Sequence, residues 1–313
     1  MNHFLEENNF NKEQIETVFK QAFEFKNTRN QRPTKDLFGQ SWGMLFYKNS
    51  TRTRVSFEVG IRELGGNPVL LDLSSTQIGR GESVEDTARV LSRFLDGLII
   101  RTHGHELIKE FAKHSEIPVV NALTDFLHPC QIYADCMTIL EKTTTSQNPY
   151  HGLKGKKLAF FGDTSCNMAN SWILAGALWG MEIFLCGPEE FKPTQEIESF
   201  CKQFGLSTHW HYTPDCTEAA HNADILYTDV WVSMGYENEE TDRKEKMTPY
   251  RVTKDLFDQA KENALFMHCM PAHPGEEVTE EVLDSPRSIL FDQAENRLHM
   301  QKGILKQLSN NKI

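Results

Sequence analysis

Short apolar runs rich in β-branched and aromatic residues alternate along this chain with longer stretches whose apolar residues recur at helical spacing. Ile15, Val18, Phe19, Ala22 and Phe23 fall on one face of a predicted first helix. Asn11 stands before it with Gln14 three residues on, the pattern of a capping box. A strand from Met44 to Tyr47 leads through Lys48–Thr53 into a helix that stops at Gly65-Gly66. Val69 to Asp72 reads as a second strand, and Ser83 with Asp86 as the capped start of a helix carrying Val84, Ala88, Leu91 and Leu95 inward. Strands at Leu98–Ile100 and Val119–Val120 and a helix over Pro129–Glu141 complete the first half.

The pattern stops between Lys142 and Lys157, where Thr143, Thr144, Thr145, Ser146, Asn148, Pro149, Gly152 and Gly155 form a breaker-rich connection. It restarts with strands at Leu158–Phe161, Glu182–Leu185, Ile225–Thr228, Leu265–His268 and Ile289–Phe291, separated by helices, and closes with a helix from about Gln293 to Leu308. This alternation predicts an α/β protein of two domains, each a mostly parallel sheet flanked by helices, with the boundary after residue 141.

The composition sharpens that picture. A chain of 313 residues, 39% hydrophobic and 25% charged, has the length and balance of two globular domains. No window approaches the ~18 apolar residues of a membrane helix. Met1 to Phe10 carries Glu6 and Glu7 without a basic or apolar signal region, so a cytoplasmic chain is expected. The seven cysteines are scattered without a Cys-x-x-Cys pair, which points to neither a disulfide framework nor a zinc site. A net charge of −11 argues against a nucleic-acid surface, so any anion site must be a local pocket of a few cations.

In open α/β sheets ligands bind beyond the carboxyl ends of the strands, and polar residues gather there. Ser50-Thr51-Arg52-Thr53-Arg54 follows the first strand, Arg101 the strand at Leu98, and Asp125 to Gln131 the strand at Val119. Asn167, Asp229 to Gly235 and Cys269-Met270-Pro271 occupy such positions in the second half. The segment Lys48–Arg54 joins hydroxyls, guanidinium groups and free N–H groups at a helix start, which suits a phosphate dianion. It is not a Gly-x-x-x-x-Gly-Lys-[Ser/Thr] loop. Taken singly, Cys269 reads more readily as a buried thiol and His128 as a helix-start residue. His268 is expected to be structural, and His103, His105, His209 and His211 have no metal-ligand spacing.

Phe46–Arg54 resembles the carbamoyl-phosphate segment of the aspartate and ornithine carbamoyltransferases, and His128-Pro129-Cys130-Gln131 resembles their second shared motif. Asp229-Val230-Trp231-Val232-Ser233-Met234-Gly235 and His268-Cys269-Met270-Pro271 are similar to the ornithine-type signatures. Met270 stands where the familiar form has Leu, and Pro274 where many relatives have a basic residue. The resemblance implies transfer of the carbamoyl group of carbamoyl phosphate to the δ-amine of L-ornithine, with an N-acylated ornithine or putrescine as the alternative acceptor. It implies that Ser50, Thr51, Arg52 and Thr53 hold the phosphate, with Gln77 from a neighbouring subunit. Arg101 and His128 are then donors to the carbonyl oxygen, while Gln131 and the carbonyls of Cys269 and Met270 accept from the NH₂ group. Asn167, Asp229, Ser233 and Met234 take ornithine, with Asp229 and Cys269 as proton acceptors. Arg297 is also placed on carbamoyl phosphate, so the last helix, 293–313, returns to the first domain, leaving 142–292 for ornithine. No metal or organic cofactor, no nucleic acid and no membrane is expected, and a homotrimer or a multiple of it is, with active sites at subunit interfaces.

Two rival readings fail on detail. After Phe160-Phe161-Gly162-Asp163 come Thr164, Ser165, Cys166 and Asn167, so the Gly-x-Gly-x-x-Gly turn of a nicotinamide dehydrogenase is absent. A degenerate, non-enzymatic relative would lack an anion ligand or Cys269, and every one is present.

Overall fold

The computed structural model describes residues 3–48, 50–72, 81–206, 210–232 and 237–310. The chain divides into two compact units, one of Met1–Gly152 with Glu295–Ile313 and one of Leu153–Ala294. In the first unit α1 (Lys12–Asn27) is followed by β1 (Ser41–Phe46), α2 (Thr51–Glu63), β2 (Asn67–Asp72), α3 (Val84–Phe94), β3 (Gly97–Arg101), α4 (His105–His114), β4 (Val119–Leu123), α5 (Pro129–Thr143) and the single turn α6 (Pro149–Gly152). The four strands form a parallel sheet in the order β2-β1-β3-β4. On one side Leu45, Leu98, Ile100 and Val119 bury against Ala88, Ile108 and Phe111 of α3 and α4.

Local chemistry sets the helix boundaries. Asn11 accepts from the Gln14 N–H and Gln14 reaches back to the Asn11 N–H, both at 2.9 Å, so the predicted capping box is present. Ser83 caps α3 by accepting from the Asp86 N–H at 3.0 Å. After α2, Gly65 adopts φ +81°, and a Cβ there would meet the Thr34 carbonyl oxygen at 2.6 Å, so glycine is required on both counts.

The second unit runs β5 (Lys157–Phe161), α7 (Asn167–Trp179), β6 (Glu182–Cys186), α8 (Gln195–Gln203), β7 (Trp210–Thr213), α9 (Cys216–Ala220), β8 (Ile225–Thr228), α10 (Glu240–Met247), α11 (Lys254–Phe257), β9 (Leu265–His268) and α12 (Glu280–Leu283). Its five strands are parallel in the order β7-β6-β5-β8-β9. Ala159, Phe161, Leu226 and Phe266 pack with Ala219, Phe257 and Val282 into its core.

Two details depart from the periodicity. β7 is an edge strand with a half-polar sequence, Trp-His-Tyr-Thr, and so carries no apolar run. The strand expected at Ile289–Phe291 is absent: Phe266 donates to the Arg287 carbonyl and Ile289 to the Phe266 carbonyl, after which the chain turns into α13 (Leu290–Ser309) with Phe291 exposed. Two ladder bonds form before the helix takes over, because Leu290, Leu298 and their successors supply a helical face longer than any strand there.

From Glu295 onward α13 belongs to the first unit. A Cβ on Gly303 would lie 2.8 Å from the Val18 carbonyl oxygen, so glycine permits the close approach to α1. The adjacent Lys302, nearly fully buried, donates to Glu63 at 2.9 Å, and Glu63 also receives Arg32 at 2.9 Å and Arg29 at 3.2 Å. Removing one member of a buried pair and stranding the other costs about 3 to 5 kcal/mol. Glu63→Gln strands the Lys302 ammonium, whereas Lys302→Met leaves Glu63 with two arginines. We therefore expect Glu63→Gln to lower the thermal unfolding temperature by several degrees more than Lys302→Met; equal shifts in a melting experiment would remove the pair from this role.

Candidate active site

The sheet order of the first unit places its switch point between β1 and β3, where the connections diverge to opposite sides. The register pairs Phe46 with Arg101 and Arg101 with Leu123, so three strand ends finish level and their following loops share one edge. Ser50 caps α2 there, its Oγ accepting from the Thr53 N–H at 3.3 Å. Thr51 and Arg52 stand exposed on the first turn, while Thr53 is buried.

Thr53 Oγ1 is the meeting point. Arg297 donates to it at 3.0 Å from α13 and Arg101 at 3.5 Å from the end of β3. Arg297 also donates to Gln131 Oε1, and Gln131 Nε2 donates to Asp135 at 2.8 Å, which fixes the amide. His128 forms the N-terminal boundary of α5 just before Pro129 and is buried. Burial holds its pKa well below 6.5, and the Arg297 and Arg101 charges push it further down. The site thus combines two guanidinium groups, a neutral imidazole and a helix N-terminus, a set built to receive negative charge. Lys48, largely buried, is held by Asp125 at 2.5 Å beside it.

In the second unit the switch point lies between β5 and β8. Asn167 opens α7 after β5. The loop before it is tied down by Asp163, which accepts from the Ser165 N–H at 2.9 Å and from Arg243 at 2.8 Å. Thr228 of β8 pairs with His268 of β9, so the next residues, Asp229 and Cys269, emerge side by side. The Cys269 thiol donates to Asp229 Oδ1 at 2.8 Å. Burial raises the Asp229 carboxyl above its ordinary value, partly offset by His268, the Cys269 thiol and the Val230 N–H.

Sequence reasoning missed what holds Cys269-Met270. The Met270 N–H donates to His268 Nδ1 at 2.8 Å, so His268 Nε2 carries the proton and faces Glu277 Oε1 at 3.2 Å. Glu277 is fully buried and also accepts from the His273 N–H at 2.6 Å. Met270 takes the left-handed φ of +62°, a conformation costly for a side chain with a Cβ and held by its N–H bond to His268. His268, expected to be structural, is fully buried with both ring nitrogens engaged. Glu277 and Asp163 carry no local signal: both act through partners distant in sequence.

Asp229, His268 and Cys269 offer ligand atoms within 4.8 Å of one another, as do His273, Glu276 and Glu277. Both His268 nitrogens are already engaged, and Glu276 is held by Lys244 at 2.7 Å. Asn49, Gln77, His209, Ser233, Met234 and Gly235 lie outside the described residues.

Residues 2–141 match the family described as aspartate/ornithine carbamoyltransferase, carbamoyl-P binding domain, and residues 154–308 match its Asp/Orn binding domain. The chain is 47% identical over 301 residues to an ornithine carbamoyltransferase of Halalkalibacterium halodurans, covering 95% of this chain and 91% of that protein. It is 48% identical over 274 residues to one of Methanosphaera stadtmanae, covering 87% and 88%. Among solved structures, the ornithine carbamoyltransferase of Pyrococcus furiosus superposes with a TM-score of 0.90 at 40% identity over 99% of this chain and 98% of that one. The anabolic enzyme of Campylobacter jejuni superposes at 0.89 with 37% identity over all of both chains.

The histidines generate a pH prediction. His128 is lowered well below 6.5, and burial brings His299 down to about 4. The unfolded chain therefore binds protons that the folded chain refuses, so stability is full above 6.5 and falls as pH drops from 6.5 toward 4. Melting temperatures across that window should decline, and His128→Gln should flatten the decline relative to the parent. A slope unchanged by the substitution would contradict the assignment.

Proposed function

The chain belongs to the aspartate/ornithine carbamoyltransferase family, and on that premise we infer that it transfers the carbamoyl group of carbamoyl phosphate to the δ-amine of L-ornithine, giving L-citrulline and phosphate. The observation that carries the chemistry is the convergence of Arg101 and Arg297 on Thr53 Oγ1 at the start of α2. Ser50, Thr51, Arg52 and Thr53 are assigned to the phosphate, with Gln77 of a neighbouring subunit. Arg101, His128 and Thr53 are assigned to the carbonyl oxygen, where negative charge develops. A preorganised donor of that kind contributes about 3 to 4 kcal/mol to lowering the barrier. A neutral imidazole suits His128 to this role, since it can donate without adding a third positive charge. Gln131, oriented by Asp135, and the carbonyls of Cys269 and Met270 are assigned to the carbamoyl NH₂ hydrogens.

Asn167, Asp229, Ser233 and Met234 are assigned to ornithine. Its δ-amine has a pKa near ~10 by analogy with lysine and arrives protonated. The Asp229–Cys269 pair is the acceptor nearest to hand in the second unit, and a carboxylate there also favours a cationic acceptor over aspartate. The neutral amine then forms the C–N bond to the carbonyl carbon, the bond between that carbon and the oxygen bridging to phosphorus breaks, and the departing phosphate takes up the proton shed by the nitrogen to leave as the HPO₄ dianion.

No helix among the described residues is long and apolar enough to cross a membrane, and we infer a cytoplasmic enzyme. Val55, Val69, Leu70, Val90 and Phe94 are exposed on the first unit, which supports association into a homotrimer or a multiple of it.

Purified protein assayed with carbamoyl phosphate and ornithine, acetylornithine, putrescine or aspartate should form product with ornithine by a wide margin. Preference for any other acceptor overturns the assignment. Arg52→Ala should raise the KM for carbamoyl phosphate and slow turnover, since an exposed guanidinium contact to phosphate is lost. Asp229→Asn should lower kcat/KM for ornithine by roughly 100-fold or more. Because a raised carboxyl pKa means that ionisation favours the unfolded chain as pH rises, the same substitution should leave the melting temperature at neutral pH unchanged or higher. A clear loss of stability with retained turnover would make Asp229 a structural group.

A further inference from the structure

We propose that Cys186 and Cys216 form an oxidant-reactive dithiol site that closes to an intrachain disulfide when the protein meets a hydroperoxide. All seven cysteines are free thiols, and these two stand with their sulfurs 3.6 Å apart, the Cys186 S–H donating to Cys216. The sheet register creates the meeting. Cys186 ends β6 opposite Thr213 of β7, and three residues after Thr213 the chain turns into α9 with Cys216 as its first residue. Asp215 fixes that turn by accepting from the Thr217 N–H at 2.8 Å and the Glu218 N–H at 3.2 Å. Cys186 is held from the other side, its carbonyl accepting from the Gly162 N–H at 2.9 Å. Each sulfur therefore sits on an anchored backbone, and an S–S bond of about 2.05 Å asks only that the side chains approach by roughly 1.5 Å.

The two thiols are unequal in the way that stepwise oxidation uses. Cys186 is buried and Cys216 partly exposed, so a peroxide reaches Cys216 first. The hydrogen bond from Cys186 lowers the Cys216 pKa against the opposing effects of burial and Asp215, and the same bond together with burial raises Cys186. The accessible sulfur is thus the better thiolate and the covered one its proton donor. Other thiols are set against the reaction: burial pushes Cys130 up to about 12 and Cys166 well above its ordinary value, and Cys269 is bonded to Asp229.

In the first step the Cys216 thiolate attacks a peroxide oxygen, the O–O bond breaks, and the leaving oxide takes a proton to become water or an alcohol. In the second, the Cys186 sulfur attacks the resulting sulfenic acid, the S–O bond breaks, and water leaves with the Cys186 proton. Two thiols are oxidised and one hydroperoxide is reduced. The step uses none of the residues assigned to carbamoyl transfer, so the two readings stand or fall separately.

The test is peptide mapping without reductant of the full-length protein, before and after a small excess of hydrogen peroxide, with thiols titrated under denaturing conditions. Two of the seven thiols should disappear, and one new peptide should join the segments holding Cys186 and Cys216. In Cys186→Ser, a dimedone probe should label Cys216 as a trapped sulfenic acid. Cys216→Ser should retain its thiols at the same dose. Seven thiols surviving in the parent protein, or a crosslink between other cysteines, overturns the proposal; the mapping of the parent decides the matter even where a variant fails to fold.

Discussion

Glu63 takes hydrogen bonds from Lys302, Arg29 and Arg32 at the end of α2, and Lys302 reaches it from the last helix of the chain. A buried ammonium has no tolerable alternative to that carboxylate, so the register of α13 along α2 is set to within one side chain. Gly303, pressed on the Val18 carbonyl, fixes how near α13 comes to α1. Arg297 lies five residues before Lys302, and with the helix so placed its guanidinium arrives at Thr53 and Gln131. A cation from the last helix of the chain is thereby delivered to the start of the helix that follows the first strand.

The sheets contribute a second constraint. In each unit the strand order reverses direction once, between β1 and β3 and between β5 and β8, and every described residue assigned to a substrate by sequence lies at the carboxyl end of a strand, on the loop or helix start that follows it, or on α13. Parallel register then converts sequence offsets into neighbours. Thr228 opposite His268 makes Asp229 and Cys269 adjacent, and Phe46 opposite Arg101 brings Arg101 to the loop that carries Ser50 and Thr53.

Such sites work against stability. His128 is kept neutral among arginines, Asp229 is half-buried with a raised pKa, and Met270 holds a left-handed backbone. Asp229 is held by the Cys269 thiol and the Val230 N–H, and Met270 by His268, whose other ring nitrogen faces Glu277. The tension between poised groups and their supports is where substitutions should separate rate from folding.

The sequence by itself determined what depends on neighbours a few residues apart. Caps at Asn11 and Ser83, the helix stop at Gly65, eight of the nine strands among the described residues and the polar segments behind them follow from side-chain periodicity and local hydrogen bonding, whose range is one helical turn. β7 escaped because an edge strand needs only one apolar face, and the expected strand at Ile289–Phe291 gave way to a helix because packing of the longer apolar face outweighed local β preference. The strand order, the bonds of Glu277 and Asp163, and the contact of Cys186 with Cys216 were decided by tertiary structure alone, and the meeting of Arg297 with Thr53 across 244 residues was foreseen only through the family resemblance. These partners are chosen by burial and by the demand that every enclosed charge find an opposite or a donor. That demand acts through space, and nothing in the spacing of residues along the chain records which two will meet.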